Sequence, residues 1–180
     1  GPVVFTSSGG YRLQTRDARA AAESRLRETQ TLQQFSQAVS QALDVPQVLD
    51  ALVKTLQDQM NFTHIAIALI EPEVEQFTIV RGVGTAANLH GLRRPLSEVQ
   101  ADITMDILRR GQIEVLDGWD ERLDRAIYER DGHIDLVRAF VPVRLRDEAI
   151  GLIEAGYQRA ARAQISPEEV RVLGGLADQM

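Results

Sequence analysis

Leu136-Val137-Arg138-Ala139-Phe140-Val141-Pro142-Val143-Arg144 and Ala149-Ile150-Gly151-Leu152-Ile153-Glu154-Ala155-Gly156-Tyr157 are two β-rich runs joined only by Leu145-Arg146-Asp147-Glu148. So short a link can only fold the chain back on itself, since a parallel neighbour needs a crossover of about a dozen residues or more. The pair is therefore predicted to be an antiparallel hairpin. Upstream the same arrangement recurs: Thr63 to Ile70 is almost uninterruptedly apolar, Glu71-Pro72-Glu73 turns, and Phe77-Thr78-Ile79-Val80-Arg81 returns. A run with Ile65, Ile67 and Leu69 on one face and Ala66, Ala68 and Ile70 on the other reads as a central strand covered on both sides. With the short strand Ile113-Glu114-Val115-Leu116, these hairpins predict an α+β fold, a central antiparallel sheet of about six strands flanked by helices.

Helices account for the rest. Asp17 to Leu43 is rich in Ala, Arg, Glu and Gln and has no Gly or Pro, which predicts one long helix. Asp44-Val45-Pro46 stops it and starts another, whose apolar face is Val48, Leu49, Leu52, Val53, Leu56 and Met60. Ser97-Glu98-Val99-Gln100 has the pattern of a capping box and Arg109-Arg110-Gly111 that of a helix end, predicting a helix over residues 97–110. A short helix follows Asp117-Gly118-Trp119-Asp120, with Leu123, Ala126 and Ile127 inward. Ser166-Pro167-Glu168-Glu169 opens a last helix, whose stripe Val170, Leu173, Leu176 and Met180 is expected to continue past the final residue. Residues 1–16, with Val3-Val4-Phe5, Ser7-Ser8-Gly9-Gly10 and Tyr11-Arg12-Leu13, read as extended pieces, a small hairpin or the tail of a preceding domain. The expected organisation is a flank over residues 1–16, a signalling helix over 17–43 and one sensory domain over 44–180.

Composition narrows the chemistry. In 180 residues, 44% are hydrophobic and 26% charged, with a net charge of −6. No apolar run approaches the roughly 20 residues of a membrane span, so no membrane contact by this domain and a cytoplasmic location are expected. The acidic balance argues against nucleic acid as a partner, because that binding needs clustered Lys and Arg. There is no cysteine. Disulfides, thiolate metal sites, thiol catalysis and thioether-linked cofactors are thereby excluded. The three histidines, His64, His90 and His133, lack metal-ligand spacing, so no metal site is expected.

The order of these pieces resembles a GAF domain over about residues 32 to 180. The likeness is carried by Asp44 to Leu56, Phe62 to Ile70, Ile103 to Gln112, Val115-Leu116-Asp117, Ala139-Phe140-Val141-Pro142-Val143 and Ile150-Gly151-Leu152-Ile153-Glu154. Leu32 to Leu43 and Ala177-Asp178-Gln179 resemble the signalling helices that join such modules to neighbours in sensor kinases and cyclases. The resemblance implies a pocket between one sheet face and a cover made of Gly82 to Leu96, the 97–110 helix and Asp117 to Gly132. The binding residues it implies are Ile67, Arg81, Arg93, Ile103, Ile107, Trp119, Leu123, Tyr128, His133 and Phe140. Trp119 is expected at the mouth, as a flat apolar surface with an N–H handle, or else as a plug in a core short of aromatics. Arg93 and Arg94 precede a helix start, where cations and unpaired N–H groups suit an anion, or they lie idle in solvent.

The departures from the family are informative. Without cysteine there is no covalent bilin and no cysteine-based methionine sulfoxide reduction. The Asn-Lys, Phe and Asp-Glu pattern of the phosphodiesterase type is not matched, so cyclic-nucleotide binding is unsupported. Haem through His90 or His133 is not expected, since a lone histidine is usually structural or exposed. Glu154 and Arg138 inside strands read as a paired structural charge rather than an acid–base pair, and His64 as a hydrogen-bonded core residue. No catalytic set stands out.

The expected function is a noncatalytic small-molecule sensor and homodimerisation module of a bacterial signalling protein, passing pocket occupancy through terminal helices to an output domain in the same parent chain. The alternative is a ligand-free dimerisation spacer; an enzyme acting through Glu154 or His133 ranks last. Leu32, Phe35, Val39, Leu43, Val170, Leu173 and Leu176 are expected at the dimer interface, as stripes that a four-helix bundle of two chains would bury. The ligand is an unknown small molecule.

Overall fold

The computed structural model describes residues 6–71, 73–99, 103–123 and 125–180. Six strands, β1 (His64–Glu71), β2 (Gln76–Gly84), β3 (Arg93–Pro95), β4 (Glu114–Asp117), β5 (Leu136–Leu145) and β6 (Glu148–Gln158), form one sheet in the order β3-β2-β1-β6-β5-β4. Every neighbouring pair is antiparallel. The β5–β6 hairpin closes through Arg146 and Asp147, both left-handed at φ 54° and 76°. Two successive positive φ angles match the right-handed twist of the strands they join.

One sheet face is covered by α1 (Thr6–Gln41), α2 (Val45–Lys54) with its π-helical extension Thr55–Gln59, and α6 (Pro167–Asp178). The core there is dense: Phe35 from α1, Leu49, Leu52 and Leu56, Leu173 and Leu176 from α6, and Ile65, Ile67 and Ile153 from the strands are all buried. Gly175 lets α1 and α6 approach closely, because a Cβ there would lie 2.7 Å from Leu32 Cδ2. Helix α2 begins as its sequence predicts, with the Asp44 side chain accepting from Gln47 N at 3.0 Å and Pro46 in the first turn. Helix α6 begins with a complete capping box between Ser166 and Glu169.

The other face is covered by loops and, among the described residues, the helical segments α3 (Leu96–Val99), α4 (Ile103–Arg110) and α5 (Arg125–Arg130). Of the helix expected over 97–110, the described residues on both sides, Leu96–Val99 and Ile103–Arg110, are helical, and residues 100–102 lie outside the described residues. Ala126, expected inward, is exposed, and the Ile127 side chain lies outside the described residues.

The largest departure from expectation is at the N-terminus. Residues 6–16, expected to be extended, continue α1 without a break, with Ser7-Ser8-Gly9-Gly10 inside the helix. Extending a nucleated helix takes far less free energy than starting one, and the Ala- and Glu-rich segment behind supplies the nucleus. Val3-Val4-Phe5 lies outside the described residues. From Gln14 to Glu23 every residue is exposed, so this part of α1 projects from the body. Among the described residues, no helix is long and apolar enough to cross a membrane.

Candidate functional site

The two faces of the sheet differ in side-chain size along β1. Ile65 and Ile67 fill the helical side, whereas Ala66 and Ala68 face the loops. The small residues leave room, and a cavity of about 150 Å³ lies above them. An interior space of about that volume accommodates a benzene-sized molecule. Phe77 and Ile79 of β2, Phe140 of β5 and Leu152 of β6 complete an apolar floor. Leu89, Leu92 and Arg94 from the long loop and β3, Ile103 and Thr104 from α4, and Tyr128, Asp131 and His133 form the walls.

One end of the cavity is polar. Glu154 pairs in register with Ala66 on one side and Phe140 on the other, and its side chain lies between His64 and Arg138, both opposite Gly156. His64 Nε2 lies 2.8 Å from Glu154 Oε1, and Arg138 Nη1 donates to the same oxygen at 2.5 Å. An ionised carboxylate only accepts, so the His64 proton on this side sits on Nε2. His64 Nδ1 is 2.8 Å from Thr85 Oγ1. Arg138 Nη2 donates to Tyr128 Oη at 2.5 Å, and its guanidinium lies 5.0 Å from the ring centres of both Tyr128 and Phe140. Gly156 makes this possible: a Cβ there would collide with the Val137 carbonyl and lie 2.8 Å from Arg138 Cγ.

These contacts set the charge states. Burial pushes the Glu154 carboxyl up, but the Arg138 charge and the His64 hydrogen bond outweigh it and hold it well below the usual carboxylate range. Burial disfavours the Arg138 charge as well, and Glu154 and Tyr128 more than compensate. His133 stands edge-on to Tyr128 and His64, with ring centres 5.5 and 5.9 Å away. Burial first and the Arg138 charge second lower its pKa, so it is neutral at pH 7.

Of the sequence-predicted binding residues, Ile103, Tyr128, His133 and Phe140 meet on the cavity. The others do not. Ile67 lies on the opposite face, in the helical core, because adjacent strand positions alternate sides. Arg81 is also turned toward the helices, where its Nε donates to Asp50 of α2 at 2.9 Å. Arg93 pairs with Thr78, one step out of phase; its neighbour Arg94, paired with Phe77, lines the cavity instead. Ile107 and Leu123 are buried in the covering layer without reaching the cavity. Trp119 is likewise away from the mouth: its ring packs on that layer and its Nε1 donates to the Leu123 carbonyl at 3.0 Å. Missed by the binding set were Arg138 and Glu154, whose period-2 placement on the Phe140–Leu152 face was the available signal.

The expected dimer stripes have partners within the chain. Phe35, Leu173 and Leu176 belong to the core under the sheet, and Leu32 and Val39 pack against it. Val170 is half-buried, and only Leu43 is strongly exposed, at 88%. Stripes that looked unpartnered on two separate helices cover each other and the sheet.

Two further ionic clusters flank the site. Arg122 joins three carboxylates, Asp120 at 2.6 Å, Asp106 at 3.0 Å and Glu114, and its hydrogen bond holds Asp120 low. On the helical side the Tyr157 hydroxyl lies 2.7 Å from Glu169, which Arg162 also binds. Among the described residues, no group of three or more His, Asp or Glu could hold a metal ion.

No protein-family model and no curated protein matches the sequence. Solved structures do match. A methyl-accepting chemotaxis protein, residues 122 to 287, is 21% identical, covering 81% of this chain and 92% of its own, at a TM-score of 0.66. The GAF domain from a Coxiella burnetii phosphoenolpyruvate-protein phosphotransferase is 15% identical, covering 86% and 92%, at 0.69. The free methionine-R-sulfoxide reductase from Neisseria meningitidis, in complex with its substrate, is 17% identical, covering 87% and 87%, at 0.66. At these identities the likeness defines the fold, and the fold is that of GAF domains.

Proposed function

We propose that this chain, which has the GAF fold, is a noncatalytic sensory module: it takes a small molecule into the cavity between β1, β5, β6 and α4, and the terminal helices carry the occupancy to an output domain of the same parent chain. The observation that carries this reading is the buried His64–Glu154–Arg138 cluster at one end of a mainly apolar cavity. A few fixed polar groups in an apolar concavity are what orient a small ligand. Catalysis has little to work with at the polar end, since Glu154, Arg138 and His64 are engaged with one another and the chain has no cysteine. The same lack rules out a bilin attached through cysteine.

Transmission would run through the sheet, because the cavity floor is also the roof of the helical core containing α1 and α6. A dimer would pair the exposed side of α1, where Leu26 is 58% exposed, rather than the stripes that the chain already buries. A cytoplasmic location and a signalling parent chain belong to the same proposal.

The test begins with the purified protein, denatured and searched by mass spectrometry for a released small molecule. A thermal-shift screen of nucleotides, amino acids and metabolites follows. Stabilisation by a compound, lost when Ile103→Trp fills the cavity, supports the reading. A folded protein that releases nothing and responds to nothing overturns it in favour of a ligand-free spacer.

A further inference from the structure

Resting on the cavity as a ligand site, we infer that its occupant presents a neutral N–H donor, of the amide or ring N–H kind, to Glu154, on a compact apolar body of about single-ring size. Glu154 receives both of its hydrogen bonds, from His64 Nε2 and Arg138 Nη1, on Oε1. Oε2 accepts none among the described residues, while the side chain keeps 15% of its surface exposed on the cavity it lines. An ionised carboxylate has about four lone-pair sites and can only accept, so what it lacks is a donor.

The donor's charge is decided by its neighbours. The carboxylate is already balanced by Arg138, 2.5 Å away and 2% exposed. A buried ammonium or amidinium would add a second cation beside that guanidinium, with no second free anion among the described residues of the lining to meet it. Asp131, the other acid on the wall, is engaged by Arg130 at 3.1 Å. A buried uncompensated charge is costly, whereas a neutral N–H needs no counter-ion. An anionic occupant would face Glu154 itself. Any carboxylate or phosphate of a larger molecule is confined to the outer wall, where Arg94 is exposed. The floor, Ala66, Ala68, Phe77, Ile79, Phe140 and Leu152, accepts an apolar ring, while the polar groups of Thr104, Tyr128 and His133 lie in the walls.

Four molecules of nearly the same shape test this: benzamide (neutral donor), acetophenone (no donor), benzamidine (cation) and benzoate (anion), with benzene as a probe of the cavity alone. Dissociation constants are measured by ligand-observed NMR on the intact chain. Benzamide is expected to bind about tenfold more tightly than acetophenone or benzoate and more tightly than benzamidine, a difference of the size that one charge-assisted hydrogen bond supplies. Glu154→Gln should remove most of the benzamide preference. Should that variant not fold, the four-molecule ranking on the unaltered chain decides alone. Acetophenone, benzoate or benzamidine matching benzamide overturns the inference. Benzene binding without any of the four overturns it too, but leaves the cavity as a ligand site. If neither benzene nor any of the four binds, the ligand-site reading falls with it.

Discussion

Glu154 and Tyr157 stand on opposite faces of β6 and tie it to opposite layers. Glu154 turns to the cavity, where Arg138 donates to it at 2.5 Å; Tyr157 turns to the helices, with its hydroxyl 2.7 Å from Glu169 in the first turn of α6 and its ring stacked on Phe62 at 4.7 Å. Glu169 is at the same time the capping-box residue of α6. Under the proposed function, a displacement of β6 at the cavity would reach the start of a terminal helix through one strand and one carboxylate.

The Arg138–Glu154 pair is stabilising only as a pair. Arg138→Met should lower stability by about 3–5 kcal/mol, and Glu154→Leu by a similar amount, since each leaves one buried charge uncompensated. The double variant should recover a large share of the summed loss. Urea midpoints of the four proteins measure this; strict additivity would contradict the coupling.

Stability should fall with acid in two stages. His133 has its folded pKa lowered below the ordinary 6.5, so below that pH the unfolded chain takes up the proton more readily and stability declines. Glu154 and Glu169 have folded values below the ordinary 4.5, so their contribution is intact above 4.5 and is lost as pH falls through their lowered values. Urea unfolding between pH 3 and 8 should show both stages, with His133→Gln removing the upper one. Stability that rises from pH 7 to 5.5 would contradict the neutral, buried His133.

Phe35 is 1% exposed inside one chain, so Phe35→Ala should cost about 3–5 kcal/mol at every protein concentration. Leu26→Ser, on the exposed part of α1, should leave the urea midpoint nearly unchanged and weaken self-association in light scattering. A Phe35→Ala loss that grows on dilution would restore that residue to a dimer interface.

The topology was legible because hairpins announce themselves locally: four residues between two β-rich runs admit one solution, and Arg146-Asp147 delivers it. Helix α6 was legible for the same reason, since Ser166 and Glu169 cap within one turn. Which face of a strand holds a cavity is a different kind of information. β1 offered Ile65-Ile67 and Ala66-Ala68 as two usable faces, and only the layers packed against them decide that the alanines face the hollow. Choosing Ile67 and Arg93 therefore put each one residue out of phase. Trp119 stayed open between mouth and plug because a loop has no periodicity to aim its side chain, and it packs on the covering layer; the stripes looked unpartnered because two apolar faces far apart in sequence do not declare that they pack on each other.

Hydrogen exchange of the intact chain, with and without saturating benzamide, tests most directly whether occupancy reaches the helices. The account predicts altered protection at α4 and β6 and also at α6, around Val172 to Leu176, on the far side of the sheet. Saturated binding with changes confined to the cavity walls, and α6 and α1 exchanging as before, would contradict it.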